Sequence, residues 1–502
     1  MEDKTGEKRD LNVQESVSSS EALDDELGEQ RQLHDANAKR SKAGIVLIPQ
    51  PSDDPDDPLN WPAWRKYLAL AALSFGSWVC YVTATIIAAG TPKIAKDLHV
   101  TKAQATYVLT TPVIIYAVGP LILVAASHFI GRRPVLIIGT LVSAISCFGC
   151  AVSKTYGGVL VARYFQALGA AGPLILGPAS VKDMYFRHQL GKMVGINTIL
   201  LVISPFCGGI IGGPILQHLD WRWSQWISGI LMFVAFFGYI FLVPETIYVR
   251  DSFEAGDKTR WGFRIPKRKH QHSFLFVFTR PIVMFMYPAV LLPCFWFGIA
   301  YMVHVGITSN ISLIFESKPF NFTIIQAGLS FFSGLIGAFT GELFAGPVVD
   351  YLATRALKTG KTWVPELRFR AIWLALFMMP VGLIVFGTTI QFVKKWVAPL
   401  VGNGIYIFGV QIMTTVIQTY IMECYPEQAM EAALVLNFFR NILSFIPPFF
   451  LNEWIVKSGA ALPFGIFAML AVVFFPILVL PVILKGPAIR KWSGKPNWGK
   501  TT

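Results

Sequence analysis

The sequence predicts an all-α membrane protein with twelve transmembrane helices in two six-helix, pseudo-symmetric bundles. Three observations carry this. Twelve apolar stretches run close to the ~20 residues a helix needs to cross the hydrocarbon core. Charged residues make up 15% of the chain and mean hydropathy is +0.52, whereas soluble domains carry about 25% charged residues. The stretches also fall six and six around a basic polar segment, 244–280. Helices are the reading because an open strand in lipid leaves backbone groups unpaired. A barrel would need alternating segments of about ten residues, and these runs are continuous.

Residues 1–60 are polar and of mixed charge, and too poor in apolar surface to order themselves, so a disordered tail is expected. No apolar run near Met1 marks a cleaved signal. Trp61, Trp64 and Tyr67 fit an interfacial aromatic belt beside Arg65 and Lys66. The first six spans read as 68–90, 105–127, 134–153, 158–180, 193–215 and 226–243, within a bundle of 61–243. A basic linker, 244–280, follows, and its Lys267-Arg-Lys269 suits anionic lipid. The second bundle, 281–484, holds spans at 281–305, 326–347, 371–390, 397–419, 432–450 and 463–484. A short tail, 485–502, closes the chain.

Loops on the side of both tails hold eighteen Lys and Arg against nine on the other side. That bias places both termini in the cytoplasm. The net charge of +13 therefore reads as topology, with no nucleic acid as partner. Asn310-Ile-Ser and Asn321-Phe-Thr are sequons on the expected outer face, so Asn310 and Asn321 are candidate glycosylation sites. Cys147 and Cys150 have a CxxC spacing but sit in an apolar span without a second ligand pair, and read as buried thiols. No metal site and no cofactor is expected.

Gly119-Pro120 is followed nine residues on by His128, and Gly341-Glu342 nine residues on by Asp350. Each pair ends the second span of its half before a basic loop, as in a parallel internal repeat. Several motifs resemble the major facilitator superfamily, in particular the fungal drug:proton antiporter type. Gly131-Arg132-Arg133-Pro134 is similar to the end of its loop motif, Gly-x-x-x-Asp-Arg-x-Gly-Arg-Arg. Arg163-x-x-Gln166-x-x-Gly169 resembles its second motif, and Ser204-Pro205-x-x-Gly208-Gly209 its antiporter motif. Further echoes are Asp57-Pro-Leu-Asn-Trp-Pro62, Pro244-Glu-Thr246, Pro365-Glu-Leu-Arg368 and Tyr420-x-x-Glu423. The chain departs from the pattern at His128, where the loop motif has an acid, at Phe129, where it has a base, and at Ser204, where the antiporter motif has Gly. A weakened charge relay in the first half is expected, with Asp350 keeping the acid in the second.

Polar groups at membrane depth are costly and are candidate sites. Arg163 is implied by the resemblance to serve proton coupling or substrate contact; its alternative is a strut bonded to helix carbonyls. Glu342, within span eight, fits a proton carrier and a lock on the contact between the two halves equally. Gln166, Asn403, Gln411, Asn437 and Arg440 are expected to face inward toward substrate or neighbouring helices. His304, near the end of span seven, reads as ordinary packing. The glycines of spans four and five suit close helix approach. The leading functional reading is a secondary active transporter: proton-coupled efflux of a small organic compound by alternating access. Its partners are substrate, protons and the lipid bilayer of the plasma membrane, and the protein acts as a monomer. The alternatives are a proton-driven importer of a small organic cation or metabolite, and a membrane sensor that does not transport. No Walker motif or catalytic cluster supports an enzyme.

Overall fold

The computed structural model describes residues 39, 47–248, 274–358, 364–393 and 395–494. Among them, twelve helices are long and apolar enough to cross a membrane. In the first half these are α1 (Ala63–Thr85), α2 (Lys102–Ile130), α3 (Arg132–Val152), α4 (Tyr156–Met184), α5 (Arg187–His218) and α6 (Arg222–Leu242). In the second their main helices are α7 (Pro288–Phe315), α8 (Phe331–Lys358), α9 (Ile372–Thr388), α10 (Val397–Cys424), α11 (Ala429–Ser444) and α12 (Ala461–Leu478), with the spans of α9 and α11 continuing through short flanking helices to Pro365–Val393 and Ala429–Phe449. An even number of crossings puts the two ends of the chain on one side, here called the tail side.

The halves repeat one packing plan. In the first half α1 packs on α4, α5 and α6, α2 on α4, and α3 on α4 and α6; six helices later α7 packs on α10, α11 and α12, α8 on α10, and α9 on α10 and α12. The contacts between halves obey the same symmetry, α2 with α11 and α8 with α5. Local signals repeat too. Thr101 and Gln104 form a capping box that starts α2. Thr323 and Gln326 form its counterpart at Ile324–Leu329, the short helix leading into α8. Each box satisfies backbone N–H groups that a helix start leaves open. The paired Thr-x-x-Gln is a local repeat signal present in the sequence at Thr101 and Thr323.

Several boundaries move. α7 runs ten residues beyond the expected end, to Phe315. Its polar run Thr308-Ser-Asn-Ile-Ser312 reads as loop, yet all four polar residues are buried, with Thr308 Oγ1 donating to His304 O at 2.9 Å and Asn310 Nδ2 to Gly306 O at 2.9 Å. Hydroxyls and amides that bond back to their own helix can lie inside a membrane helix. Asn310 is thus corrected as a glycosylation site: it is fully buried and its amide nitrogen is engaged. Asn321 is exposed in the loop after α7. A separate helix, Phe274–Met284, ends the linker and precedes α7. The expected C-terminal tail is helical to Ser493.

Trp64 and Tyr67 are exposed as an interfacial belt requires, whereas Trp61 is buried. It belongs to a folded approach to α1. Asp57 is fully buried and accepts from Leu59 N at 3.0 Å and Ser52 N at 3.0 Å; Lys66 Nζ donates to Leu59 O at 2.9 Å. The end of the expected tail, 47–60, is therefore ordered by the Asp57-Pro-Leu-Asn-Trp-Pro62 motif. Residues 1–38 and 40–46, and Lys267-Arg-Lys269 of the linker, lie outside the described residues.

Candidate functional site

The site begins with a break in α1. The helix ends at Thr85, and the chain turns through Ala88–Gly90 before a short helix, Thr91–Asp97. A helix end leaves carbonyls without N–H partners, and in lipid no water takes them up. Arg163 of α4 supplies the donors. Its Nη1 donates to Thr83 O at 3.0 Å, its Nη2 to Ala84 O at 2.6 Å and its Nε to Val108 O of α2 at 3.0 Å. Gln166 accepts from the same Nη1 at 3.0 Å. The carbonyl end of α1 in turn offers the guanidinium the negative pole of the helix dipole. Arg163 is fully enclosed and does not line the cavity between the bundles. Expected as a coupling or substrate residue, it has the geometry of the strut, bonding three helices.

α5 rests on that break. Proline lacks the N–H that would bond Leu201 O; Ser204 Oγ donates to that carbonyl instead, at 2.6 Å. The departure from glycine at Ser204 thus repairs the helix that Pro205 interrupts. Thr85 Oγ1 reaches Pro205 O at 2.8 Å. Gly208 lies against Thr85 and Val82, and Gly212 against the Ile86 carbonyl so closely that a Cβ there would lie 1.8 Å from its oxygen. On its other face α5 meets the second half: Gly209 lies under the Phe331 ring, Gly213 against the Gly328 backbone, and Phe206 against Gly334. These contacts close the two bundles on the side away from the tails.

Beneath this closure a cavity of about 100 Å³ lies between the bundles, walled by α1, α2, α5, α7, α8, α10 and α11. Its polar lining includes Tyr81, Tyr301, His304, Gln411, Arg440 and Asn441. His304 sits at mid-helix, not near a helix end, with its ring 5.4 Å from Phe206 and 5.1 Å from Tyr301. Arg440 Nη2 donates to Tyr81 Oη at 2.8 Å and to Asn437 Oδ1 at 2.8 Å, and Asn437 Nδ2 donates to Tyr116 O at 2.7 Å. Arg440 and Asn437 therefore bridge the halves. Gln411 touches the cavity and donates to Glu342 Oε2 at 2.5 Å, so Glu342 ties α8 to α10 within one half. Asn403 makes a similar tie to Ser333 Oγ, at 2.9 Å.

The basic loop residues meet acids at the tail side. Gly131 turns the chain at φ 91°, where a Cβ would be strained and would strike Glu245. Glu245 accepts from Arg132 N at 3.2 Å and Arg133 N at 3.0 Å, capping the start of α3. The Arg132 side chain pairs with Asp183 at the end of α4. The second half repeats the clasp: Arg368, before α9, pairs with Glu423 at the end of α10 at 2.7 Å, and Arg490 pairs with Glu366. Glu245 and Asp183 thus supply acids to a loop motif that has His128 in the acidic position. Asp183 was not singled out from sequence; its signal was an acid ending a span opposite a basic loop. Asp350 lies on α8, and its side chain is outside the described residues.

The sequence pattern of the Major Facilitator Superfamily matches residues 73–448. The chain belongs to the Major Facilitator Superfamily. It is a membrane transporter of that type, built for a small-molecule substrate and a bilayer. It is 26% identical to the cycloheximide resistance protein of Candida maltosa, over 96% of this chain and 91% of that protein. It is 24% identical to the efflux pump radE of Floropilus chiversii, over 85% of this chain and 81% of the pump. In fold it is similar to the crystal structure of the human organic anion transporter MFSD10 (TETRAN), with a TM-score of 0.58 at 15% identity, covering 83% of this chain and 100% of that one.

Proposed function

We propose that this transporter exports a small organic compound from the cytoplasm in exchange for protons, by rocking its two bundles about the central cavity. The cavity carries the reading: a largely apolar chamber with a few polar side chains, set between symmetric halves and sealed on one side by glycines packed against backbone and rings. Seams of this kind separate without unfolding either bundle. The tail side, rich in Lys and Arg, is taken as cytoplasmic and the membrane as the plasma membrane. Asn321 is then the outward sequon and the working unit a monomer. The names of the relatives, a resistance protein and an efflux pump, support the outward direction. Glu342, joined to the cavity through Gln411, and Arg163, joined to the α1 break, are the coupling candidates; both act through a neighbour.

The test uses the purified chain in liposomes, with labelled cycloheximide and a panel of apolar toxins as probes. The expected result is movement of at least one compound against its gradient when a pH gradient is imposed, and none without it. Movement down the gradient alone, indifferent to pH, would overturn proton exchange.

A further inference from the structure

The central cavity holds unspent donors on Arg440, beside the neutral amides of Gln411 and Asn441. Arg440 is the one charged side chain in its described lining, which holds no carboxylate. A guanidinium carries five N–H donors. Here Nη2 donates to both Tyr81 and Asn437, and Nε is enclosed without a partner. The Tyr81 hydroxyl accepts from Arg440, so its own proton is left to donate. Tyr301 lies under the guanidinium, its ring centroid 5.7 Å from Cζ, and its hydroxyl makes no bond among the described residues. Contrast Arg163, whose every nitrogen is bonded to protein oxygen. A cation away from water is costly unless matched by an anion, and among the described residues no carboxylate is paired with Arg440.

The geometry points to Arg440, with Tyr81 and Tyr301, as a subsite for the carboxylate of an aromatic or similarly flat organic anion. The inference rests on the cavity being the substrate chamber. Arginine suits this task because its planar fork meets a carboxylate through two parallel bonds. Phe206, Tyr116 and the two tyrosine rings supply apolar surface for the rest of the molecule. An organic cation would meet Arg440 with like charge and is disfavoured.

The test is a matched series: 2-naphthoate, its neutral methyl ester and 2-naphthylmethylammonium, each titrated onto the purified full-length chain. Binding is read as intrinsic fluorescence change and as a rise in Tm. Naphthoate is expected to bind about ten- to a hundredfold more tightly than the ester, the range of one charge-assisted contact, and the ammonium weakest. Arg440→Gln removes that preference while ester affinity stays within about threefold, and Arg440→Lys restores part of it. The wild-type series decides the matter even if a variant fails to fold. Naphthoate binding no better than the other two, weakly or not at all, overturns the assignment. If naphthoate binds as expected while no compound moves under a pH gradient, the proton-exchange reading fails and the subsite stands. If toxins are exported but naphthoate does not bind, the reverse holds.

Discussion

At the scale of single residues, charge burial decides the roles, and a sequence shows the charge but not its partner. Arg163 is legible as an intramembrane cation. What it bonds is not, because the open carbonyls of Thr83 and Ala84 exist only where α1 breaks. Arg163→Ala leaves those carbonyls bare, at about 1–3 kcal/mol each. Transport is expected to be lost together with a fall in Tm of several degrees; an unchanged Tm would show that Arg163 is no strut. His304 looks bland in sequence because the polar run after it makes span seven end ten residues too soon. The polar run after it looked like loop, and only its back-bonded hydroxyls and amide make it helix. Glu316, just past α7, is the clearest pH-dependent group outside the membrane-spanning segments. Burial pushes its carboxyl from 4.5 up to about 7, against the pull of Lys102, and its Oε1 has no partner. The folded chain then holds a proton that the unfolded chain has released, so stability present below 4.5 is lost as pH rises through 7. Tm in detergent is expected to fall between about pH 5 and about pH 8, and Glu316→Gln to flatten that slope.

At the scale of elements, the spans themselves were legible because lipid leaves helices no alternative. Their breaks were not: the end of α1 at Thr85 follows no proline, and it is fixed by α5 and Arg163 from outside. The α5 glycines suit close helix approach by sequence, and the structure shows which surfaces they serve, Gly208 and Gly212 facing α1 and Gly209 and Gly213 facing the second half. Gly213→Val is expected to open the seal away from the tails, seen as faster hydrogen exchange in 86–90 and 324–330. Exchange as slow as in the wild type would mean that the seal lies elsewhere. The tail-side clasps carry a second expectation. Arg132 with Asp183 and Arg368 with Glu423 occupy equivalent places in the repeat. Asp183→Asn and Glu423→Gln should therefore cost similar stability, about 1 kcal/mol each for partly exposed pairs. A severalfold difference in thermal shift would argue against functional equivalence of the two clasps. The sequence marked three of the four partners through echoes of family motifs, but could not pair them across loops.

At the scale of the whole molecule, the repeat explains why one seal is expected to have a mirror. α2 with α11 and α5 with α8 are a pair of inter-bundle contacts exchanged by the pseudo-symmetry. In this conformation the close α5–α8 approaches lie at the end away from the tails, while Ile196 and Leu343, toward the tail end of the same helices, are 41% and 49% exposed. The proposed exchange mechanism requires the opposite arrangement, closed at the tails and open at the far side, reached by rocking about the cavity that Arg440 and Asn437 bridge. The most direct measurement is a pair of spin-label distances on the transporting chain in lipid. One pair joins Leu219 to Leu329 at the far side, and the other joins Ile196 to Leu343 toward the tails. When a pH gradient and a transported compound are supplied, the first distance should lengthen in the same population in which the second shortens. Two distances that stay fixed, or grow together, while transport continues would contradict exchange between the two closures.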